Sequence, residues 1–355
     1  MSDPADGAPE SDRRDGCPHP RERSVLMGHQ QAESEMLGAF RSGRMHHAWL
    51  VSGSEGVGKA TLAYRMARFA LAHPDPDAPP VAAADSLAVP ADHPAARRVA
   101  SLSHPDLLVL RRGWNADRKT FYGDIRVDDV RKATTFFGST AGEGGWRVAI
   151  VDAADDMNGA AANALLKVLE EPPPRAIFLL LTAAPRALPA PVRSRCRALT
   201  LSPLSASETF AVLESLPDIV DEHGADELSA AASMAEGSVS RALSLLASDG
   251  ATLRGAVAAI LEHLPSVDVK AAHALAEDLA RRGAEERFAL FVALVEDWLH
   301  ARVMSGAAVR EPRLARMAEL WEKTARAARE IEVFNLDRRP FVLETLTELA
   351  GLARR

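Results

Sequence analysis

The sequence predicts an α/β fold in which helices cover both faces of a parallel β-sheet that carries a phosphate-binding loop. Strongly apolar runs, each typical of a buried strand, alternate with amphipathic helical segments between residues 48 and 201. This alternation is the pattern of a parallel sheet with helical crossovers. A glycine-rich turn at residues 53–59 lies between the first apolar run and a helix, which is the context of a P-loop.

The P-loop consists of Gly53, Gly56, Val57, Gly58 and Lys59, and it is followed by Ala60. Its glycines let backbone N–H groups turn toward phosphate oxygens, and the next helix adds the positive end of its dipole. Lys59 would reach the terminal phosphates, but Ala60 stands where the motif has the Ser or Thr that holds magnesium. Thr61 does not replace it, because one residue along a helix rotates a side chain by roughly 100°. The sequence therefore predicts a nucleotide pocket that lacks one magnesium ligand.

The apolar runs are predicted strands, and the segments between and after them are predicted helices. The strands are residues 48–51, 107–110, 147–152, 177–182 and 198–201, and the helices are residues 29–44, 61–72, 127–137, 158–171, 205–216, 225–235 and 238–246. Asn158 can cap the helix that it begins, and three prolines follow the end of that helix. From about residue 251 longer amphipathic helices begin, with Phe288, Val295 and Trp298 on one apolar face.

These patterns divide the chain into four segments. Residues 1–24 hold Pro, Gly, Asp and Arg with almost no apolar periodicity, and they are predicted to be a disordered tail. Residues 25–202 form the nucleotide-binding domain, in which the proline-rich residues 73–105 are predicted to be an irregular surface insertion. Residues 203–249 form a small helical lid domain, and residues 250–355 form a C-terminal helical bundle.

Composition and charge exclude several classes of protein. The chain is 47% hydrophobic and carries a formal net charge of −7, which argues against a free-standing, strongly basic nucleic-acid binder but not against DNA contact within an assembly. Its two cysteines, Cys17 and Cys196, predict a reducing cytoplasm and no disulfide framework. No apolar run approaches the ~18 residues of a membrane span, so we expect a soluble cytoplasmic protein.

An acid at the end of a predicted strand supports the P-loop interpretation. Asp152 stands where P-loop ATPases place the acid that holds magnesium. Without the P-loop, this acid would merely cap a turn, and without the acid, the P-loop could be a glycine-rich turn with a solvated lysine. The glutamate that activates water in hydrolytic members is replaced by Ala153, and loss of such a base costs about 10²- to 10⁴-fold in rate. Asp155 and Asp156 are nearby, but they are shorter and lie further along the turn.

Arg193, Arg195 and Arg197 form the other notable cluster, and two interpretations of it are open. Three arginines in one loop are usually a solvated basic turn. Alternatively, an arginine is supplied in trans to the nucleotide of a neighbouring subunit, because the guanidinium fork pairs with phosphate oxygens and stays charged. Sequence spacing alone does not choose between these interpretations.

Two further runs carry a resemblance to a known family. They are Asn-Ala-Leu-Leu-Lys-Val-Leu-Glu-Glu-Pro-Pro at residues 163–173 and Leu-Pro-Ala-Pro-Val-Arg-Ser-Arg-Cys at residues 188–196. Both resemble the segments that mark clamp-loader ATPase subunits of the AAA+ class. The resemblance covers the chain from about residue 26 to its end and is strongest over residues 28–201. It implies an AAA+ (RecA-like) nucleotide domain, a helical lid and a C-terminal collar for ring assembly.

Within this family, the missing residues favour a subunit that does not hydrolyse ATP. The motor subunit has Ser or Thr after the P-loop lysine and Glu after the strand-end acid, whereas this chain has Ala60 and Ala153. It therefore resembles the delta-prime type of subunit of bacterial DNA polymerase III, as does His-Pro-Asp-Leu at residues 104–107. By that resemblance, Arg195 is an arginine finger that acts in trans, and Thr182 occupies the sensor position beside the γ-phosphate.

The resemblance also implies partners and cofactors. The partners are the motor (gamma/tau) and delta subunits of a hetero-oligomeric ring, with the sliding clamp and primer-template DNA reached through the assembled complex. The P-loop favours ATP or ADP bound without hydrolysis, while Ala60 weakens magnesium coordination, so occupancy and magnesium stay open. Family members often carry a four-cysteine zinc module in the insertion. Here the insertion has no cysteine, and His73, His93 and His104 lack tight ligand spacing, so we expect no zinc.

Three hypotheses remain at this point. The first is a non-hydrolysing stator of the clamp loader that supplies Arg195 to a neighbour's ATP site. The second is an ATP-hydrolysing motor subunit of the same ring, with Asp155 as the base. The third, from another class, is a P-loop kinase or an unrelated nucleotide-binding regulator, which residues 163–173 and 188–196 disfavour.

Overall fold

The structure is a computed structural model of the chain and divides into two compact units, Met1–Ser240 and Arg241–Arg355. Each unit is described by itself below. The described residues are 9–13, 17–138, 142, 144–247, 250–281, 283–306, 312–334 and 336–354.

The first unit contains a parallel sheet and the helices that surround it. Its strands are β1 Ala48–Ser52, β2 Leu107–Leu110, β3 Trp114–Asn115, β4 Thr120–Phe121, β5 Arg147–Asp152, β6 Ala176–Thr182 and β7 Arg197–Thr200. Its helices are α1 Gln30–Arg41, α2 Lys59–Ala72, α3 Pro79–Ala83, α4 Pro94–Ala100, α5 Val127–Gly138, α6 Gly159–Glu170, α7 Ala190–Arg193, α8 Ala206–Glu214, α9 Pro217–Glu222 and α10 Ala225–Met234, and α11 Val239–Leu246 continues into the second unit. Every predicted strand is present to within one residue at each end.

The main sheet is parallel, with the strand order β2-β5-β6-β1-β7. Strand β1 lies between β6 and β7, so that Leu50 is opposite Leu180 on one side and Ala198 on the other. Because all strands run in the same direction, their carboxyl ends meet at one edge of the sheet. In open α/β sheets this edge is where ligands bind.

Both faces of the central strands β1, β5 and β6 are buried, which confirms the predicted fold, whereas the edge strand β7 is mostly exposed. On one face, Trp49 and Leu179 pack in a core with Phe69 of α2. On the other face, Leu50 and Phe178 pack in a second core with residues of α5 and α6. Successive side chains of a strand point to opposite faces. Every residue of β1 and β6 is therefore buried, and both strands are apolar except for the polar residue at the end of each.

Residues 73–105 differ from the irregular surface insertion that the prolines predict. They contain the short helices α3 and α4, and Val81, Leu87 and Val99 are buried in the core that includes α2. Each helix has a proline in its first turn. Proline is compatible with this position, because the N–H that it lacks would have no helical partner there. The prolines thus begin helices here, and the apolar residues between them contribute to the core.

A buried ion pair joins α1 to α2. Arg65 donates to Glu33 Oε1 from Nε at 2.9 Å and from Nη2 at 2.5 Å, and Leu87 N donates to the same oxygen at 3.0 Å. Glu33 and Arg65 are only 7% and 6% exposed. The third arginine nitrogen, Nη1, donates to Ser24 O. One carboxylate therefore ties together α1, α2 and the insertion.

The N-terminal arm, by which we mean the described part of residues 9–24, differs from the predicted disordered tail. Arg111, directly after β2, donates to Glu10 Oε1 at 2.6 Å and to Asp12 Oδ1 at 2.7 Å. Arg21 lies 2.9 Å from the other Glu10 oxygen. The arm is short of apolar residues, but its charged side chains pair with each other and with charges far along the chain. The rest of the predicted tail, residues 1–8 and 14–16, lies outside the described residues.

We expect contacts of the N-terminal arm to weaken in acid. Burial raises the pKa of both carboxyls, but Arg21 and Arg111 at Glu10, and His19 and Arg111 at Asp12, outweigh burial and lower each pKa to about 2. Because these values lie below the ordinary 4.5 and 3.8, the stabilisation is complete above about pH 4.5 and is lost as the pH falls through about 2. Thermal unfolding midpoints measured from neutral pH to about 2 should fall further for the native chain than for Arg111→Ala. Parallel pH profiles would contradict the assignment.

The second unit is helical in the part that the structure describes. Its helices are α12 Gly250–Glu262, α13 Val269–Leu279, α14 Glu285–Gly306, α15 Pro312–Phe334 and α16 Arg338–Arg354. Phe288 of α14 meets Phe341 of α16 edge-on, with 5.4 Å between ring centroids. Phe291, Val295 and Leu299 continue the buried stripe along α14 at helical spacing. None of the described helices combines the length and the apolar character needed to cross a membrane.

Candidate functional site

The P-loop joins β1 to α2 at the carboxyl edge of the main sheet. Gly56 and Gly58 have φ angles of 73° and 110°, a left-handed region that favours glycine. Lys59 Nζ donates to Gly53 O and to Ser54 O, at 2.8 Å each. The structure therefore has the strand, turn and helix that the sequence predicts, with the lysine folded over the loop.

A histidine that the sequence does not identify supports this loop. His29, directly before α1, is 5% exposed, and its Nε2 is hydrogen-bonded to Val57 O at 2.7 Å. A Cβ added to Gly58 would lie 3.5 Å from the same ring. His29 precedes Val57 by 28 residues, so only the tertiary fold reveals that it holds the P-loop backbone.

Asp152 and Thr182 lie at the same edge of the sheet as the P-loop. Asp152 ends β5 and is level with Leu181 of β6, while Thr182 is level with Ser52 of β1. Thr182 is fully buried, and its carbonyl accepts from Gly53 N at 3.3 Å. The structure thus brings together the loop, the strand-end acid Asp152 and Thr182.

Burial shifts the pKa values of the charged groups at this edge. Burial, together with the negative charge of Asp12, raises the pKa of Asp152 to about 7, although Lys59 opposes the shift. Burial also lowers the pKa of Lys59, against the charges of Asp152 and Glu55. Ala60 offers no oxygen, and its methyl group packs against the core beside α2. Ala60 therefore supplies no counterpart of the hydroxyl with which P-loop ATPases hold magnesium, while Asp152 places a carboxyl at this edge.

The two acids that follow Asp152 are engaged in the structure. Asp155 Oδ2 accepts from Ala183 N and from Ala184 N, at 3.2 Å each, and so fixes the turn after β6. Asp156 Oδ2 lies 3.2 Å from Arg112 Nε. Ala153 provides no carboxylate in the position between them and Asp152. The geometry therefore disfavours Asp155 as a substitute general base.

The tip of the P-loop also contacts the start of α11. Val239 N donates to Gly56 O at 3.0 Å, and Ser238 Oγ donates to Glu55 O at 2.8 Å. A Cβ on Gly56 would lie 2.5 Å from Ser238 Oγ and 2.5 Å from Ser240 Cβ. Small residues are required here because two backbones approach each other closely.

The three clustered arginines have different surroundings. Arg193 Nη1 donates to the carbonyls of Pro185, Arg186 and Leu188, at 3.4, 3.3 and 3.2 Å, and holds the loop before α7. Arg197 Nη2 pairs with Glu35 Oε1 at 2.7 Å, and its guanidinium lies 4.7 Å from the centroid of the Trp49 ring.

Arg195 is held by one carboxylate and one carbonyl near the surface. Its Nη2 lies 2.7 Å from Glu170 Oε1, and its Nη1 donates to Pro191 O at 2.9 Å. The side chain is 35% exposed and that of Glu170 is 49% exposed. This ion pair joins the ends of the two sequence runs that carry the family resemblance. Exposed ion pairs of this kind are weak, so the guanidinium can exchange Glu170 for another anion at small cost.

The histidines of the insertion have local structural roles. His93 and His104 accept from the backbone N–H groups of Ala95 and Asp106, at 3.2 Å each. In the part of the chain that the structure describes, one group of side chains has the spacing of metal ligands, and it is Glu10, Asp12 and His19. Arginines already neutralise both of its carboxylates, so a cation has little to gain there.

The sheet order and the site together define the class of the protein. The strand before the P-loop has the sensor strand on one side and the last strand on the other, and the acid-bearing strand follows the sensor strand. This is a P-loop AAA+ fold. The model of the family described as DNA polymerase III, delta subunit, matches residues 28–205, and the chain belongs to this family.

Relatives of two kinds match the chain. DNA polymerase III subunit delta' of Escherichia coli (strain K12) is 31% identical over 243 residues, which cover 66% of this chain and 65% of the relative. DNA polymerase III subunit tau of the same organism is 30% identical over 281 residues, which cover 76% of this chain and 40% of the relative. The chain thus spans less than two thirds of the length of these relatives. A gamma subunit-related protein from Thermotoga maritima is 16% identical, with a TM-score of 0.42, over 91% of this chain and 100% of that one.

Proposed function

We propose that this chain is a clamp-loader subunit of bacterial DNA polymerase III that does not hydrolyse ATP. It acts as a stator in a ring with motor (gamma/tau) and delta subunits in the cytoplasm, and the ring loads a sliding clamp onto primed DNA. The observation that carries the proposal is the loss of catalytic groups at an otherwise preserved P-loop. Ala60 and Ala153 replace the magnesium ligand and the base, and Asp155 is engaged elsewhere.

The catalytic contribution of the chain is Arg195, supplied to the ATP site of a neighbouring motor subunit. Its surroundings support this choice over Arg193, which is tied to the loop before α7. Arg197 pairs with Glu35 in an exposed ion pair of the same kind as that of Arg195, so the choice over Arg197 rests on the family resemblance of residues 188–196. Arg195 carries a surface guanidinium whose main partner, Glu170, is itself half-exposed. A phosphate at the interface would replace that carboxylate with a more highly charged anion that accepts the same fork.

The pocket of this chain binds ATP or ADP weakly and without turnover. Its glycines supply backbone donors for phosphates, while Ala60 removes one magnesium ligand. The contact of the P-loop tip with Ser238 and Val239 supports an idle role, because one side-chain and one backbone hydrogen bond hold the loop there. In this proposal the pocket is a structural remnant.

A steady-state ATPase assay on the isolated chain tests the proposal. We expect turnover at least 10²-fold below motor rates, because the base is missing. Lys59→Ala should leave this residual rate unchanged, since the lysine completes no catalytic site. Turnover at ordinary motor rates that Lys59→Ala abolishes would overturn the proposal. Co-purification with motor and delta subunits and the clamp from cells tests the setting.

The alternative is an ATP-hydrolysing motor subunit of the same ring. It is favoured by the match to subunit tau, which covers more of this chain than the match to subunit delta' does. It requires a base other than Ala153, and the hydrogen bonds of Asp155 to two backbone N–H groups count against that residue. The same ATPase assay separates the two candidates.

A further inference from the structure

A short antiparallel ribbon leaves the main sheet after β2. Strands β3 and β4 pair Trp114 with Phe121 and Asn115 with Thr120, and they form a separate two-stranded sheet. We call residues 111–126 the ribbon segment. Neither the P-loop nor the proposed arginine finger uses the residues of this segment.

The ribbon segment carries aromatic rings that the cores do not use. Trp114 and Phe121 form a T-shaped pair with 5.1 Å between centroids, and both are partly exposed. Neither ring belongs to the two core clusters that the described residues form around the main sheet. Beside them, the Arg126 guanidinium lies over the Tyr122 ring, 3.8 Å from its centroid. Partly exposed rings combined with cations are typical of surfaces on which unpaired bases stack.

The ribbon segment is richer in basic than in acidic residues. It holds five basic and two acidic residues, whereas the formal net charge of the protein is −7. Arg111 and Arg112 pair with acids outside the segment. Its exposed cations are therefore Arg118, Lys119 and Arg126. Arg118 and Lys119 lie in its turn and are exposed, and neither has an ion-pair partner among the described residues. The ribbon thus has two adjacent cations at its tip and an aromatic pair at its base. This combination suits a ligand that carries both phosphate groups and planar aromatic rings.

We propose that the ribbon segment is a contact surface for single-stranded DNA. Arg118 and Lys119 contact backbone phosphates, and the Trp114–Phe121 pair stacks against a base. The ligand is single-stranded because bases within a duplex are already stacked and present only their edges in the grooves. This inference rests on the proposed function and deepens it. In that function, the single strand is the unpaired template beside a primer.

Fluorescence anisotropy of the full chain with a labelled oligo-dT of about 20 nucleotides tests the inference, since such sites span roughly 4–16 nucleotides. Titrations at salt concentrations from about 50 to 200 mM give both the affinity and its salt dependence. Arg118→Gln with Lys119→Asn should reduce the magnitude of the log–log salt slope by about 1.4, because each phosphate contact to a single strand contributes about 0.7. Asparagine suits position 119, where φ is 50°.

A second variant tests the aromatic part. Trp114→Ala should weaken binding roughly 10-fold while leaving the salt slope unchanged, because stacking does not release counterions. The Trp114 ring lies outside both cores, so this change should not unfold the domain. A circular dichroism spectrum and an unfolding midpoint equal to those of the native chain check this.

The matched control is Arg131→Gln with Lys132→Gln on α5. It makes the same change in net charge, but these exposed cations already pair with Asp128 and Asp129, at 2.9 and 2.7 Å. We expect the control to bind oligo-dT within about 2-fold of the native chain, as a diffuse change of charge alone would allow. Equal losses in both double variants would show that binding is a diffuse charge effect and would overturn the inference.

Two further outcomes would also overturn it. One is equal affinity for oligo-dT and for a duplex of the same length, and the other is no binding at the lowest salt concentration. Neither outcome affects the ATPase assay on the isolated chain or the Arg195 experiment on the assembled ring. Failure of the ribbon assignment is therefore distinguishable from failure of the stator assignment.

Discussion

Replacing Arg195 by alanine should leave ring assembly intact and lower the DNA-stimulated ATPase of the assembled complex. An arginine finger neutralises charge that develops in the phosphoryl-transfer transition state, and its removal costs about 10³-fold or more at the site that it completes. The complex should then retain only the turnover of sites that other subunits complete. Steady-state ATPase with primed DNA and clamp, together with size-exclusion chromatography of the ring, measures both parts.

Two control variants separate the finger from simpler causes. Glu170→Gln removes the ion pair of Arg195 but keeps the arginine. A small effect of this variant on the ATPase of the complex would show that the activity depends on the arginine and not on its ion pair. Exposed pairs of this kind contribute only about 0–1 kcal/mol to stability. Arg186→Ala removes another exposed arginine from the loop before α7. If the ATPase of the complex with Arg195→Ala equals that of the native complex, the finger assignment is wrong.

Replacing Glu33 by alanine should lower the free energy of unfolding of the first unit by about 3–5 kcal/mol. The change leaves the buried Arg65 guanidinium without its carboxylate, and an uncompensated buried charge carries a penalty of this size. It also removes the acceptor of Leu87 N, which links the insertion to α1. Urea unfolding followed by circular dichroism measures the effect.

Glu35→Ala is the matched control on the same helix. Glu35 pairs with Arg197, but the two side chains are 36% and 45% exposed, so the loss should stay under about 1 kcal/mol. The comparison isolates burial, since both variants remove one glutamate of α1 from one arginine. Equal losses for the two variants would show that the Glu33–Arg65 pair is not the buried link that the structure indicates.

The main sheet and the turn at residues 53–59 could be predicted from local patterns. Strands buried on both faces are nearly all apolar, and the P-loop has its glycines and lysine in one continuous run. Asp152 and Thr182 were predictable because each ends such a strand, and parallel strands end at the same edge. Ala60 and Ala153 could be recognised because each directly follows a motif residue and replaces the residue type expected there.

The features that sequence reasoning missed depend on partners far along the chain. The N-terminal arm has a composition typical of disorder, yet Arg111 holds Glu10 and Asp12 about a hundred residues away, with separations of 101 and 99. By sequence alone, the prolines of the insertion indicate irregular structure. They begin helices here because the apolar residues of those helices pack against the core, and this packing is decided by the tertiary fold. The ribbon segment was missed since each of its strands has only two residues.

The sequence by itself determined the fold class, the P-loop and the absence of its magnesium ligand and base, because each of these depends on neighbouring residues and their periodicity. Only the tertiary structure decided how the remaining charged groups are used. It engages Asp155 in a turn, ties Arg193 to the loop before α7, and leaves Arg195 and Arg197 near the surface with Glu170 and Glu35. The physical reason is that a charged side chain takes its role from the charges and carbonyls within about 4 Å, and these come from distant parts of the chain.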